Sequence, residues 1–334
     1  MSERKRQKTN STMITKFEQL PNELILNCFI YFNFYELYQT FFGLNQRINK
    51  LMLYQTDIII DLDLIPNGDL LTFYYKLNHF LSLRKNYPLS MNTSNEQRFT
   101  LIMNDNLFQD KFSKLKSLTL FDIHAGVICD AIFDKRIKLY KTLEKLILQE
   151  ISEAEEHGQD IERLCSQLIS SKMKSLKYLN INVKSYSCGC EIGIQSRDSD
   201  VDLQFLYLSD KEKSLSNLET LIIGDIHLED TTKVSFHTLT EKLLPHLPKL
   251  QNLMINSIHF NENKFQLTHG THQSTIKTNA TIPINLKLIK ICTHVETNNE
   301  HMEEENKQLL KNFFLNNNSS DIKTFYINDE IVLE

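Results

Sequence analysis

Chemistry in this chain would have to start from thiols, imidazoles and carboxylates, and their spacing offers little. Six cysteines occur, at positions 28, 129, 165, 188, 190 and 292. Cys188-Gly189-Cys190 is the one close pair, and two neighbouring thiolates can share a metal. No second Cys/His pair follows at zinc-finger spacing, so it reads as two thiols in a loop. His269-x-x-His272 lies in a Thr-, Asn- and His-rich stretch from Asn261 to Thr281, which reads as a solvated loop. Glu153, Glu155, Glu156 and the run Glu303 to Glu305 suit helix starts, where carboxylates complement the positive end of the dipole. Neither cluster defines an acid–base pair. The eight glycines form no phosphate-cradling loop or dinucleotide fingerprint, and no nucleophile elbow is present. No catalytic residue, metal ligand or cofactor is expected.

Composition narrows the class. The 334 residues allow one to three domains. A net charge of −5 with 24% charged and 41% hydrophobic residues is ordinary for a soluble globular chain. No basic surplus points to nucleic acid, and no apolar run reaches the roughly 18 residues of a membrane span. Scattered cysteines fit free thiols in a reducing compartment, so the cytoplasm, the nucleus or both are expected. Residues 1–16 are polar, carry Arg4, Lys5, Arg6 and Lys8, and lack an apolar core, which excludes a signal peptide. They read as a disordered lead-in, with a nuclear localisation signal as the alternative.

The elements begin with an unusually apolar stretch. From Phe17 to Tyr54, 22 of 38 residues are apolar or aromatic, and five are charged. A segment below about 40 residues seldom buries enough surface to stand alone. Such a density implies that another surface completes its core. Three short helices are predicted. Pro21 suits a first turn, and Leu24, Ile25, Cys28, Phe29 and Phe32 follow at helical spacing. A second helix carries Leu37, Tyr38, Phe41 and Phe42. Asn45 caps a third, whose inner face is Ile48, Leu51 and Met52.

The order Leu20-Pro21-x-Glu23-Leu24, Phe29-x-x-Phe32, Glu36-Leu37 and Leu44-Asn45-Gln46-Arg47-Ile48-x-x-Leu51 resembles an F-box. The match spans about 35 residues, within the segment 17–55. Glu36 stands where that family usually has Asp, and Ile48 where it commonly has Trp; both keep the physical character. The resemblance implies docking onto a Skp-type adaptor, itself bound to a cullin scaffold of a ubiquitin ligase. The residues expected at the adaptor are Leu20, Pro21, Leu24, Ile25, Phe29, Phe32, Leu37 and Phe41.

Residues 56–110 read as a transitional or capping region: a strand over 57–64, a turn at Pro66-Asn67-Gly68, a helix over 70–83, a loop over 84–96 and a strand over 99–103. From 111 the chain repeats an apolar-x-x-apolar-x-apolar unit. Its copies are Leu115/Leu118/Leu120, Leu143/Leu146/Leu148, Leu176/Leu179/Ile181, Leu218/Leu221/Ile223, Leu250/Leu253/Ile255, Leu286/Ile289/Ile291 and Ile322/Phe325/Ile327. Ile123, Ile151, Ile226 and Ile258 follow at one further fixed spacing, and His124, His227 and His259 come directly after three of them. Helical patterns fill the gaps at 127–139, 161–171, 236–247 and 301–315. A strand alternating with a helix gives neighbours that stack and share one core. The pattern resembles leucine-rich repeats, with longer and more variable intervals, and with Ile where that family commonly has Asn or Cys. The predicted fold is α/β: a small three-helix F-box, then an irregular leucine-rich-repeat-like solenoid with a parallel sheet over 111–334.

If the anchors face inward, the alternating residues form the opposite sheet face. That row is Thr119, Phe121, Ile147, Gln149, Asn180, Asn182, Ile222, Gly224, Met254, Asn256, Lys290, Cys292, Tyr326 and Asn328. It is poor in charge and rich in amide, aromatic and aliphatic groups, as interface cores are. Two functions remain open: a non-catalytic receptor subunit that brings a target protein to the ligase, and an interaction scaffold working outside ubiquitination. Neither requires nucleic acid or membrane.

Overall fold

The computed structural model describes residues 17–54, 58–83, 89–104, 115–152, 159–184, 201–208, 216–224, 232–260, 283–293, 300–317 and 322–333. The repeated anchors become strands. β1 (Ile58–Asp61), β2 (Leu89–Thr93), β3 (Leu115–Phe121), β4 (Lys145–Ile151) and β5 (Tyr178–Val183) come first. β6 (Val201–Asp202), β7 (Thr220–Ile223), β8 (Thr232–Ser235), β9 (Asn252–His259), β10 (Leu288–Thr293), β11 (Thr324–Ile327) and β12 (Glu330–Leu333) follow. They form one sheet in the order β1-β2-β3-β4-β5-β7-β9-β10-β11-β12, with β8 joined to the far end of β9 and β6 to β8. Every pairing is parallel except β11 with β12. The fold is α/β with a mostly parallel open sheet.

Repetition at the sequence level produces repetition in the backbone. The amide of Glu144 donates to the carbonyl of Lys116, and the amides of Lys177 and Tyr178 donate to that of Glu144. The same exchange continues through Glu219, Gln251, Lys287 and Lys323, one step per repeat. Leu118, Leu120, Leu146, Leu148, Leu179, Ile181, Leu221 and Ile223 are fully buried on one face. After β3 the chain passes through Asp122, and within β4 through Glu150, both with φ of +51°. That left-handed step re-aims the strand end, so that Ile123 and Ile151 turn back into the core, where they are fully buried. Ile therefore adds apolar surface to the core at the end of each of these strands.

Helices cover the buried face. α1 (Asn22–Phe29), α2 (Phe34–Phe41), α3 (Gln46–Tyr54), α4 (Leu70–Leu83), α5 (Glu96–Asn104), α6 (Ala125–Phe133), α7 (Asp160–Ile169) and α8 (Glu300–Asn317) run in chain order. Between β8 and β9 a wide π turn, Thr238–Leu243, and a tight turn, Leu244–His246, replace the regular helix that the sequence suggests. Pro245 has no amide hydrogen to give to a continuing helix.

The region 56–110 differs from its expected transitional role. β1 and β2 extend the sheet beyond β3 in parallel register, so the sheet begins at Ile58 rather than near 111. Residues 84–96, read as loop, contain β2, and 99–103, read as strand, belong to α5. Asn95 explains the second reversal: its Oδ1 accepts the Arg98 amide at 3.0 Å, a helix cap. Phe99, Ile102 and Met103 are then buried at helical spacing.

The three N-terminal helices are fused to this sheet. α2 begins with a capping box, in which Asn33 Oδ1 accepts the Glu36 amide and Glu36 Oε2 accepts the Asn33 amide. Its buried side, Phe34 and Tyr38, meets Phe73 and Phe80 of α4 at ring distances of 5.1 to 6.1 Å. Tyr35 adds a hydrogen bond to Asp69, 2.7 Å. The surface needed to complete the apolar segment is thus partly α4 of the same chain.

Candidate functional site

Within the helical module, Phe41 is the hub. Its ring packs on Phe17, Phe29 and Phe32 at 5.2 to 5.3 Å. Arg47 on α3 holds the Leu20-Pro21 segment in place: it donates to the carbonyls of Glu18 and Leu20 and to Asn22 Oδ1, at 2.6 to 2.8 Å. Asn45 caps α3 as expected, its Oδ1 accepting the Ile48 amide at 2.9 Å.

This packing divides the eight residues expected at the adaptor. Ile25, Phe29, Leu37 and Phe41 are buried inside the module and cannot meet a partner. That expectation is corrected: a three-helix unit of this size needs those four side chains for its own core. Pro21, Leu24 and Phe32 are exposed, and Leu20 is half-buried. Three further apolar residues share the open surface and were missed: Ile30, Tyr31 and Leu44, exposed by 69%, 83% and 53%. Leu24, half-buried Cys28 and Tyr31 follow one another at helical spacing, and the Tyr31 amide continues the helical bonding to the Cys28 carbonyl. Of the three missed residues Ile30 carried a signal in the sequence, since it is apolar and lies off the stripe of Leu24, Ile25, Cys28, Phe29 and Phe32.

The second candidate surface is the open face of the sheet. Thr119, Ile147, Asn180, Ile222, Met254, Lys290 and Tyr326 lie in one register row across seven neighbouring strands. All seven are half-buried, while the anchors beside them are fully buried. Phe121 is exposed and pairs in register with half-buried Gln149. Ile222, Met254, Asn256, Lys290 and Cys292 line a shallow dip in the surface, with no enclosed cavity. The one cation of this row, Lys290, is paired with Asp329 at 2.8 Å.

Three members of the row are not available there. Asn182 is buried, and its Oδ1 accepts a hydrogen bond at 3.1 Å from Thr232, the first residue of β8. Gly224 is likewise buried, in a left-handed turn at φ +87°. Asn328 spends its amide on Thr293 and Glu303, tying the end of β11 to β10 and α8.

Two of the recurrent histidines, His124 and His259, lie beside acids. His124 Nδ1 lies 2.6 Å from Glu96 Oε2. His259 Nε2 lies 3.1 Å from Asp202 Oδ1, at ion-pair range but off the line of a hydrogen bond. Among the described residues no group of three or more His, Cys, Asp or Glu could hold a metal ion, and no helix is long and apolar enough to cross a membrane. Cys188, Cys190, Glu153, Glu155, Glu156, Ile226, His227, His269 and His272 lie outside the described residues.

No protein-family model matches this chain, and no curated protein is significantly similar to it. A functional reading therefore rests on the residues and their placement.

Proposed function

We propose that this chain is the substrate-recognition subunit of a Skp–cullin–F-box type ubiquitin ligase, a receptor without chemistry of its own. The observation that carries the reading is an apolar surface left open on a module whose core is already filled. Pro21, Leu24, Ile30, Tyr31, Phe32 and Leu44 stand outside the core built by Phe29, Phe41, Ile48 and Met52. Exposed apolar patches of this kind mark interaction sites, and two of these residues, Pro21 and Leu24, belong to the Leu-Pro-x-Glu-Leu segment. In this reading a Skp-type adaptor covers the patch and brings the cullin. The open sheet face, with Phe121, Ile147, Ile222, Met254 and Tyr326, receives the target protein. The aromatic contact between α2 and α4 fixes one surface relative to the other, which a receptor needs if it is to present its target.

The experiment is recovery of partners on the tagged full chain from cells. Adaptor and cullin together are expected, and Leu24→Asp/Tyr31→Asp should lose both. Adaptor without cullin would favour a scaffold outside ubiquitination. Absence of both would end the assignment.

A further inference from the structure

The charges of this chain are sorted along its strands. Because the strands run parallel, the turns leading into them share one edge of the sheet and the turns leaving them share the other. The stretches leading into β4 and β5, residues 134–145 and 170–177, hold eight lysines and arginines against two carboxylates. Both carboxylates are occupied, Glu144 by Lys116 at 2.8 Å and Asp134 by Arg136 at 2.7 Å. Lys135, Lys138, Lys172, Lys174 and Lys177 are exposed and meet no carboxylate among the described residues. Lys141 and Lys145 rest over the rings of Tyr140 and Tyr178, at 5.6 and 5.2 Å.

The two turns are bound together, so the lysines have a fixed frame. Ser175 Oγ donates to the Lys141 carbonyl at 2.6 Å, and the Lys177 amide donates to the Glu144 carbonyl at 2.9 Å. With neighbouring strands about 4.8 Å apart, the ammonium groups span roughly 10 to 15 Å. The ends of the same units on the other edge carry Asp122, Glu150, Asp160 and Glu162, with Lys184 paired to Asp122 at 3.1 Å. The whole chain is negative, at −5, so this edge is a positive island.

We propose that this lysine edge binds an acidic segment of a partner protein, about three to five extended residues long at roughly 3.3 Å each. A nucleic acid fits less well. Duplex DNA carries a charge every 1.7 Å or so, and two turns cover only a short part of such a backbone. A short acidic segment feels only charges within a screening length of about 8 Å. Seven of the eight cations are lysines, flexible point charges suited to separate carboxylates rather than to planar bidentate recognition. The adjacent tyrosine rings are already covered by lysines and offer bases no open stacking platform. The site lies apart from both the helical module and the sheet face, so it stands or falls separately from the ligase reading.

Fluorescein-labelled hexaglutamate, titrated with the full chain and followed by anisotropy at two salt concentrations, tests it. Binding is expected, weakening with salt, and dropping at least tenfold in Lys138→Glu/Lys174→Glu/Lys177→Glu. Lys50→Glu/Lys76→Glu/Lys311→Glu, with the same change in net charge on other faces, should leave it unchanged. Glutamine replacements at 138, 174 and 177 repeat the test should the reversed charges disturb folding. No binding by the unmodified chain, or equal loss in both triple variants, would overturn the site. Tighter binding of a ten-residue oligouridylate would overturn the choice of a protein partner.

Discussion

Phe80→Ala tests whether the helical module and the sheet are one body. Phe80 is fully buried on α4, and its ring meets Phe34 at 5.1 Å, Phe42 at 5.5 Å and Tyr38 at 5.9 Å. All three belong to the module. Truncating a buried Phe removes its transfer free energy and leaves a cavity, together about 3 to 5 kcal/mol. Close aromatic pairs contribute about 0.5 to 1.5 kcal/mol beyond burial, and three of them are lost, which favours the upper half of that range. Against a typical total of about 5 to 15 kcal/mol, the variant should show a large fall in its urea midpoint by circular dichroism. Protease cleavage between α3 and α4 should become faster. Tyr75→Ala, on the exposed side of the same helix, should change stability by less than about 0.5 kcal/mol. A Phe80→Ala cost below about 1 kcal/mol, or an equal cost at Tyr75, would refute the fused arrangement.

Three further outcomes follow from single features. Glu150 sits at φ +51°, which costs an L-residue about 1 to 2 kcal/mol relative to glycine. Glu150→Gly should be neutral or stabilising in chemical denaturation and Glu150→Val destabilising; the same sign for both would discount the left-handed step. Burial pushes the Glu162 carboxyl above its ordinary 4.5, against the lowering effect of the backbone amides of Gln204, Leu206 and Phe205. A raised carboxyl favours the folded state while protonated, so its contribution is full below the unfolded value and is lost as pH rises through the folded one. Glu162→Gln should remove that fall from the profile of urea midpoint against pH, and an unchanged profile would contradict it. Phe121→Lys/Met254→Lys/Tyr326→Lys should leave the melting temperature and adaptor recovery intact while removing the target; unfolding would show that the face is core.

The strands carrying Leu118/Leu120 and their equivalents were legible in the sequence because one physical demand, a buried face, repeats at a fixed offset. β2 was not. In Ser90–Thr93 burial alternates, with only Met91 and Thr93 buried, and the strand state of β2 comes from neighbours on both sides rather than from its own pattern. The run Phe99 to Met103 has strand-like composition, and only the Asn95 cap and the spacing of Phe99, Ile102 and Met103 reveal a helix. In the module, helix positions followed from periodicity, but which apolar residues face a partner did not. Ile25 and Phe29 lie on the same predicted stripe as Leu24, and the direction each faces is set by how α1 docks on Phe41. Asn182 was lost to the open face because Thr232 of β8, a strand too short and polar to be seen in sequence, bonds to it, and Gly224 because the chain turns there at φ +87°.

The central claim is that the open apolar patch of the helical module is an adaptor site. Isothermal titration of the purified full chain against a purified Skp-type adaptor tests it most directly. One-to-one binding is predicted. In Leu24→Asp/Tyr31→Asp two anchors are lost, about 2 kcal/mol each, which weakens binding by roughly a thousandfold without changing the melting temperature. An unmodified chain that does not bind, or a folded variant that binds as tightly as the unmodified chain, would contradict the account.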